Sequence, residues 1–202
     1  MTTTWADALT AVSTFLAATA TGGAWMAARR SNATADSMAK IERDRWHADL
    51  TPQFDIDLRE GLSQAKVHIY LNGPDILGHL DEVTLTVEDD DMDHTLRTPE
   101  PGLTQEKIDA HVWGPFRFTP SGNQGDANGR TVGPFHIQVG RGRPLSMERT
   151  MPGFWMEGTT RDRWQENYAG QPIRLRIVCR RGDEEWVIAR RLENPPIAAV
   201  GQ

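Results

Sequence analysis

The densest chemistry in the sequence is the acidic run Glu88-Asp89-Asp90-Asp91-Met92-Asp93. Asp89, Asp91 and Asp93 have the 1-3-5 spacing of an EF-hand loop, Glu100 falls at position 12, and Leu96 takes the apolar position 8. Oxygen ligands at that spacing suit a hard cation such as calcium. Three departures oppose the reading. His94 stands where the loop needs its turn glycine, Pro99 interrupts it, and an alternating strand pattern, not a helix, precedes it. The competing reading is a solvated acidic turn, where charge discourages pairing at a sheet edge, or an acidic patch facing a partner.

Arginines form the opposite pole. Arg174, Arg176 and Arg180 alternate along one predicted strand, and Arg190 and Arg191 end the next. Aligned with one another, they would make a basic surface for phosphate or anionic headgroups. Set beside Asp and Glu on neighbouring strands, they would be consumed in cross-strand pairs, which is the favoured expectation. The loop Gly140-Arg141-Gly142-Arg143-Pro144 lacks the strand and helix context of a nucleotide cradle. Six histidines are scattered without metal-ligand spacing. Cys179 falls on the inward face of a strand, a packing position. No nucleophile motif is present, so no catalytic residue and no cofactor is expected. An enzyme using the Trp- and Phe-bearing loops with Asp126 or His136 is the third function class considered.

These residues must be positioned by strands. Phe54, Ile56 and Leu58 alternate with charged residues, and the same period of two runs through Val67–Leu71, Val83–Val87 and Ile173–Cys179. That pattern describes half-buried antiparallel strands. Asn72-Gly73-Pro74 and Arg181-Gly182-Asp183 supply turns, the second closing a hairpin between strands 172–180 and 185–192. Trp186, Val187 and Ile188 suggest burial at the start of the last strand. Short strands are expected at 134–139 and 145–150, a loop at 119–133, and short helices at 104–112 and 160–168, capped by Thr104 and by Thr159 or Thr160. The expected fold is mainly β. It is an antiparallel β-sandwich of immunoglobulin-like architecture with two short helices, spanning 52–193, with a small β-barrel as the alternative. Residues 194–202 form a loose tail.

The N-terminal part reads differently. Residues 8–28 carry no charge. As a helix they would be roughly 31 Å long, close to the ~30 Å hydrocarbon core of a bilayer. Trp5 and Trp25 mark the two interfaces, and Arg29 and Arg30 close the segment. Residues 1–7 contain no Lys or Arg, which opposes a secretory signal. The cationic flank predicts a single pass of the plasma membrane, N-terminus outside and C-terminal domain cytoplasmic. Small residues four apart, such as Ala20 and Ala24, could bring two spans together as a homo-oligomer. A juxtamembrane helix or stalk follows over 29–51 and ends at Thr51-Pro52. The net charge is −6, so nucleic acid is not an expected partner.

Three stretches carry a resemblance. They are Glu42-Arg43-Asp44-Arg45-Trp46-His47-Ala48-Asp49-Leu50-Thr51-Pro52, Leu80-Asp81-Glu82-Val83-Thr84-Leu85-Thr86-Val87, and Val112-Trp113-Gly114-Pro115-Phe116-Arg117-Phe118. With the N-terminal span they resemble a group of uncharacterised actinobacterial single-pass membrane-anchored proteins with a C-terminal β-rich domain. The resemblance implies an anchor and a domain, and no activity.

The function expected is a membrane-tethered cytoplasmic binding or scaffold module, in contact with the bilayer and an unknown protein partner. Contacts would come from loops such as 89–102 and 119–133. The alternative is a ligand-sensing membrane effector that oligomerises through its transmembrane helix.

Overall fold

The computed structural model describes residues 36–60, 65–97, 101–120, 122 and 124–194. The expected span 8–28, its flanks Trp5, Trp25, Arg29 and Arg30, residues 195–202 of the expected tail and Glu100 lie outside these residues. The tail's first residue, Asn194, is buried with its Nδ2 donating to the Tyr168 carbonyl at 2.9 Å and is not loose. Among the described residues, no helix is long and apolar enough to cross a membrane.

The chain divides into two units at Asp49/Leu50. In the first, helix α1 runs over 36–49 and stops ahead of Pro52. Met38, Ile41 and Trp46 are exposed on it.

The second unit is mainly β. Its strands are β1 (Gln53–Glu60), β2 (Ala65–Gly73), β3 (His79–Glu88), β4 (Phe116–Phe118), β5 (Thr131–Gln138), β6 (Arg141–Arg149), β7 (Ile173–Arg181) and β8 (Glu184–Leu192). They form two antiparallel four-stranded sheets, ordered β1-β2-β6-β4 and β5-β3-β7-β8. Each sheet keeps two edges, so neither closes into the barrel held as an alternative.

Period-two patterning places the core. Val67, Ile69 and Leu71 of one sheet and Val83, Leu85, Leu175 and Ile177 of the other are fully buried, and they belong to one continuous cluster with Phe116, Phe118, Leu145 and Met147. Side chains on alternate positions therefore point between the sheets. Cys179 is in this cluster, as its register predicts, and burial pushes its thiol up to about 12.

Two expectations are corrected. Val187 is exposed, because its register partner Val178 lies on the outer face while Trp186 and Ile188 point inward. Strand β6 begins at Arg141, inside what reads as a Gly-Arg loop. Gly142 belongs there because Tyr70 lies across it: a Cβ at 142 would stand 2.8 Å from the Tyr70 ring. The Tyr70 hydroxyl donates to the Gly140 carbonyl at 2.6 Å. The three-residue strand β4 has no alternation long enough to announce it.

Candidate functional site at the long-loop end

Strand directions sort the connections. β3 and β6 end, and β5 and β7 begin, on the same side. The three long connections, 89–115, 119–130 and 150–172, therefore share one end of the sheet pair. The opposite end carries the short ones: the 3-10 turn Asp75–Leu77, residues 139–140 and residues 182–183.

Two short helices organise the long end. Thr104 caps α2 (Gln105–Ala110) by accepting from the Lys107 amide, and Thr160 caps α3 (Arg161–Asn167) by accepting from the Arg163 amide. Both caps and both helices match the sequence reading. The helices deliver Ile108 and Trp164 to a second buried cluster with Leu103, Trp113 and Tyr168. Trp113 Nε1 donates to the Ile108 carbonyl at 3.0 Å, and Trp164 Nε1 donates to Thr150 Oγ1 at 2.9 Å. The Thr150 hydroxyl in turn donates to the Gly114 carbonyl. The indoles are thus buried with their polar atoms satisfied.

The structure gives Asp89, Asp91 and Asp93 a different use from the cation loop their spacing suggests. Asp89 accepts from the Trp113 amide and from Arg130 Nη1, both at 2.9 Å. Asp91 takes both terminal nitrogens of Arg174. Asp93 accepts from the Thr95 amide at 3.0 Å and Arg97 Nη2 at 3.2 Å, and hydrogen bonding from the Thr95 hydroxyl, the Thr95 amide and Arg97 holds its carboxyl down at about 2. Each carboxylate faces its own arginine, so their oxygens do not converge on one point. Among the described residues, no group of three or more His, Cys, Asp or Glu is arranged to hold a metal.

Asp90, which the spacing argument passes over, holds the centre. Its Oδ1 meets His94 Nε2 at 2.6 Å and accepts from the Met92 amide at 3.0 Å, and its Oδ2 accepts from the Tyr168 hydroxyl at 2.8 Å. Burial opposes ionisation there, but the bonds from His94, Tyr168 and Met92 outweigh it and keep the carboxyl below its ordinary value. Burial and the bond to Asp90 push the Tyr168 phenol up. The His94 ring lies on Trp113, and the Trp113 ring also meets His111 edge-on at 4.9 Å. His111 touches Trp155 and Trp164 edge-on as well, and burial lowers it to about 4. Arg130 ties the loops together, its Nη2 donating to the Asp109 and His111 carbonyls at 2.9 and 2.6 Å.

The basic row is neutralised strand by strand. Arg176 pairs with Glu88 at 3.3 Å, and Arg180 with Glu185 at 3.2 Å and Glu82 at 3.9 Å. Arg190 and Arg191 are exposed at the end of β8, on opposite faces. Asp126 is a turn organiser, accepting from the amides of Asn128, Arg130 and Thr131. A cleft beside Asp90, lined by Val87, Glu88, Trp113, Gly114 and Arg174 among others, measures about 10 Å³, room for one water. Outside the buried cluster the same end exposes apolar side chains: Phe154 is 78% exposed, Met92 70% and Met151 51%.

The sequence missed His94, His111, Arg130 and Tyr168 as a set. They share no motif, and Tyr168 lies 78 residues from the Asp90 it binds. The available signal was a histidine inside an acidic run and one arginine in a Gly/Asn/Asp-rich loop. Comparison with known proteins returns no matching family model, no similar curated protein and no similar solved structure.

Proposed function

We propose that this chain is a membrane-tethered binding module that docks a protein partner on the long-loop end of a β-sandwich. The observation that carries the reading is the construction of that end. Two of the three long connections, 89–115 and 150–172, are braced from beneath by a second aromatic core, and they hold Phe154, Met151 and Met92 out to solvent. Exposed apolar side chains on a rigid base suit a protein partner. The cleft beside Asp90 has room for one water, so that cleft is not an enclosed small-molecule site.

The strand order supports an immunoglobulin-like sandwich. β1-β2-β6-β4 corresponds to A-B-E-D and β5-β3-β7-β8 to C′-C-F-G, with β4 and β5 exchanged in chain order. Residues 8–28 supply the anchor in this reading. The domain then lies in the cytoplasm, where tethering raises its effective concentration towards other membrane proteins.

Two experiments test it. Alkaline washing of membranes with a C-terminal reporter should leave the chain in the pellet with a cytoplasmic C-terminus; release by the wash removes the tether. A photo-crosslinker at Phe154 or Met92 should trap the same adduct, and one at Val187 should not. Equal labelling at all three positions would remove the docking surface.

A further inference from the structure

The four sheet edges are unequal. β4 is three residues long, and the part of β6 it leaves uncovered is blunted by Pro144. The Thr119 amide donates to the Ser146 carbonyl, so the even-numbered main-chain groups of β6 face the β4 side, and at 144 that side has no N–H to offer. β5 contains Pro134, and a bridge between Gly125 and Val132 covers it. β8 carries Arg190 in the inward register opposite Leu175, a charge that discourages strand addition. Among the described residues β1 is the least guarded: its eight residues include no proline and no glycine, and its one charge in the inward register, Glu60, stands at the last position. Its inward residues Ile56 and Leu58 are only partly buried.

The strand is also complementary to itself. We propose that β1 is the interface for a second copy of this chain, pairing antiparallel with its own counterpart about a two-fold axis at Asp57 to give a continuous eight-stranded sheet. In that register Asp55 stands opposite Arg59 of the other copy, twice, on the outer face. Ile56 stands opposite Leu58, twice, on the inner face, completing the burial that each strand lacks alone. Neighbouring registers are poorer. The axis at Asp57 leaves Glu60 opposite Phe54 at the two ends of the paired stretch, whereas an axis at Leu58 moves Glu60 opposite Ile56 in its middle. An axis at Ile56 sets Asp55 against Asp57 twice, and an axis between residues turns apolar side chains outward. The two Asp57 residues that meet on the axis each already hold Arg59, whose Nε donates to Asp57 Oδ2 at 2.7 Å. This surface is separate from the long-loop end and stands without the docking reading.

The test is register-specific cross-linking of the full chain. Across the axis, Asp57→Cys places its two Cα atoms about 4.5–5.5 Å apart, within disulfide reach. Asp55→Cys places its own pair about 14 Å apart, at about 3.4 Å per residue. Mild oxidation should link Asp57→Cys at least about tenfold faster than the equally exposed Asp55→Cys, while Asp55→Cys with Arg59→Cys links again. Asp55→Arg should shift sedimentation of the full chain towards monomer, and the swap Asp55→Arg with Arg59→Asp should restore the dimer. Equal linking at 55 and 57, or no recovery on the charge swap, would overturn the proposal. Association through another segment would give neither the register nor the rescue.

Discussion

His94 lies flat on Trp113, with ring centroids 3.7 Å apart and planes within 9° of parallel, while the edge of the same imidazole binds Asp90. One ring therefore fastens the acidic run to the aromatic base of the long-loop end. Asp90 extends the link to α3 through Tyr168. Charge-assisted bonds to a group this buried contribute about 1.5–3 kcal/mol each. Tyr168→Phe and Asp90→Asn should each lower stability in urea by about that amount. The double variant should lose less than the sum, because both remove the same bond. Additive losses would show that the Asp90–Tyr168 bond carries little energy.

The pH dependence has a definite sign. His111 is held neutral down to about 4, whereas an unfolded histidine takes its proton near 6.5. Between those values the unfolded chain binds more protons, so stability falls as the pH drops through that window. Below about 4 this contribution is flat. Asp90 acts lower: its carboxyl is depressed on folding, so its stabilisation is complete above the ordinary carboxylate value and is lost as pH falls through the folded one. His111→Phe should flatten the stability profile between pH 6.5 and 4 and leave the acid limb. An unchanged slope would place the cause elsewhere.

Cys179 should report global unfolding. It is fully buried, its Sγ–H faces the Trp186 carbonyl at 3.7 Å, and burial raises its thiol to about 12. Thiolate is the reactive form. Disulfide exchange with a chromogenic reagent at pH 8 should be slow in the native chain and complete on adding denaturant. Fast native labelling would mean that β7 and β8 open locally.

Gly129 is required by its place. Its φ is +72°, and a Cβ there would stand 2.1 Å from the Phe118 carbonyl oxygen, backbone that cannot step aside. Gly129→Ala should destabilise by more than about 1 kcal/mol. Gly182→Ala, where the added carbon meets open space, should cost less. Thermal melts of the two variants make the comparison.

Much of the fold was legible because burial imposes a period on the residues. Phe54 to Leu58, Val67 to Leu71 and Ile173 to Cys179 each alternate, and each is a strand with the expected inward face. The helices were legible because Thr104 and Thr160 satisfy free amides by chemistry local to the chain. The site was not legible for the complementary reason. Asp89 meets Arg130 41 residues away, and Asp91 meets Arg174 83 residues away. Only the folded sheets decide those pairings. The carboxylate spacing was real, but the fold divides Asp89, Asp91 and Asp93 among three arginines.

The strand order also sets a timetable. Of the paired strands, only β1–β2 and β7–β8 are consecutive in the chain, while β3 must wait for β7, about 90 residues later. At about 5–20 residues per second of synthesis, the apolar face of β3 is made roughly 5–20 s before its central partner exists. During that interval β5 is the one strand partner of β3 that has been made. A newly made chain is therefore most vulnerable to misassociation in mid-translation, and chaperone dependence should end once residue 181 has cleared the ribosome.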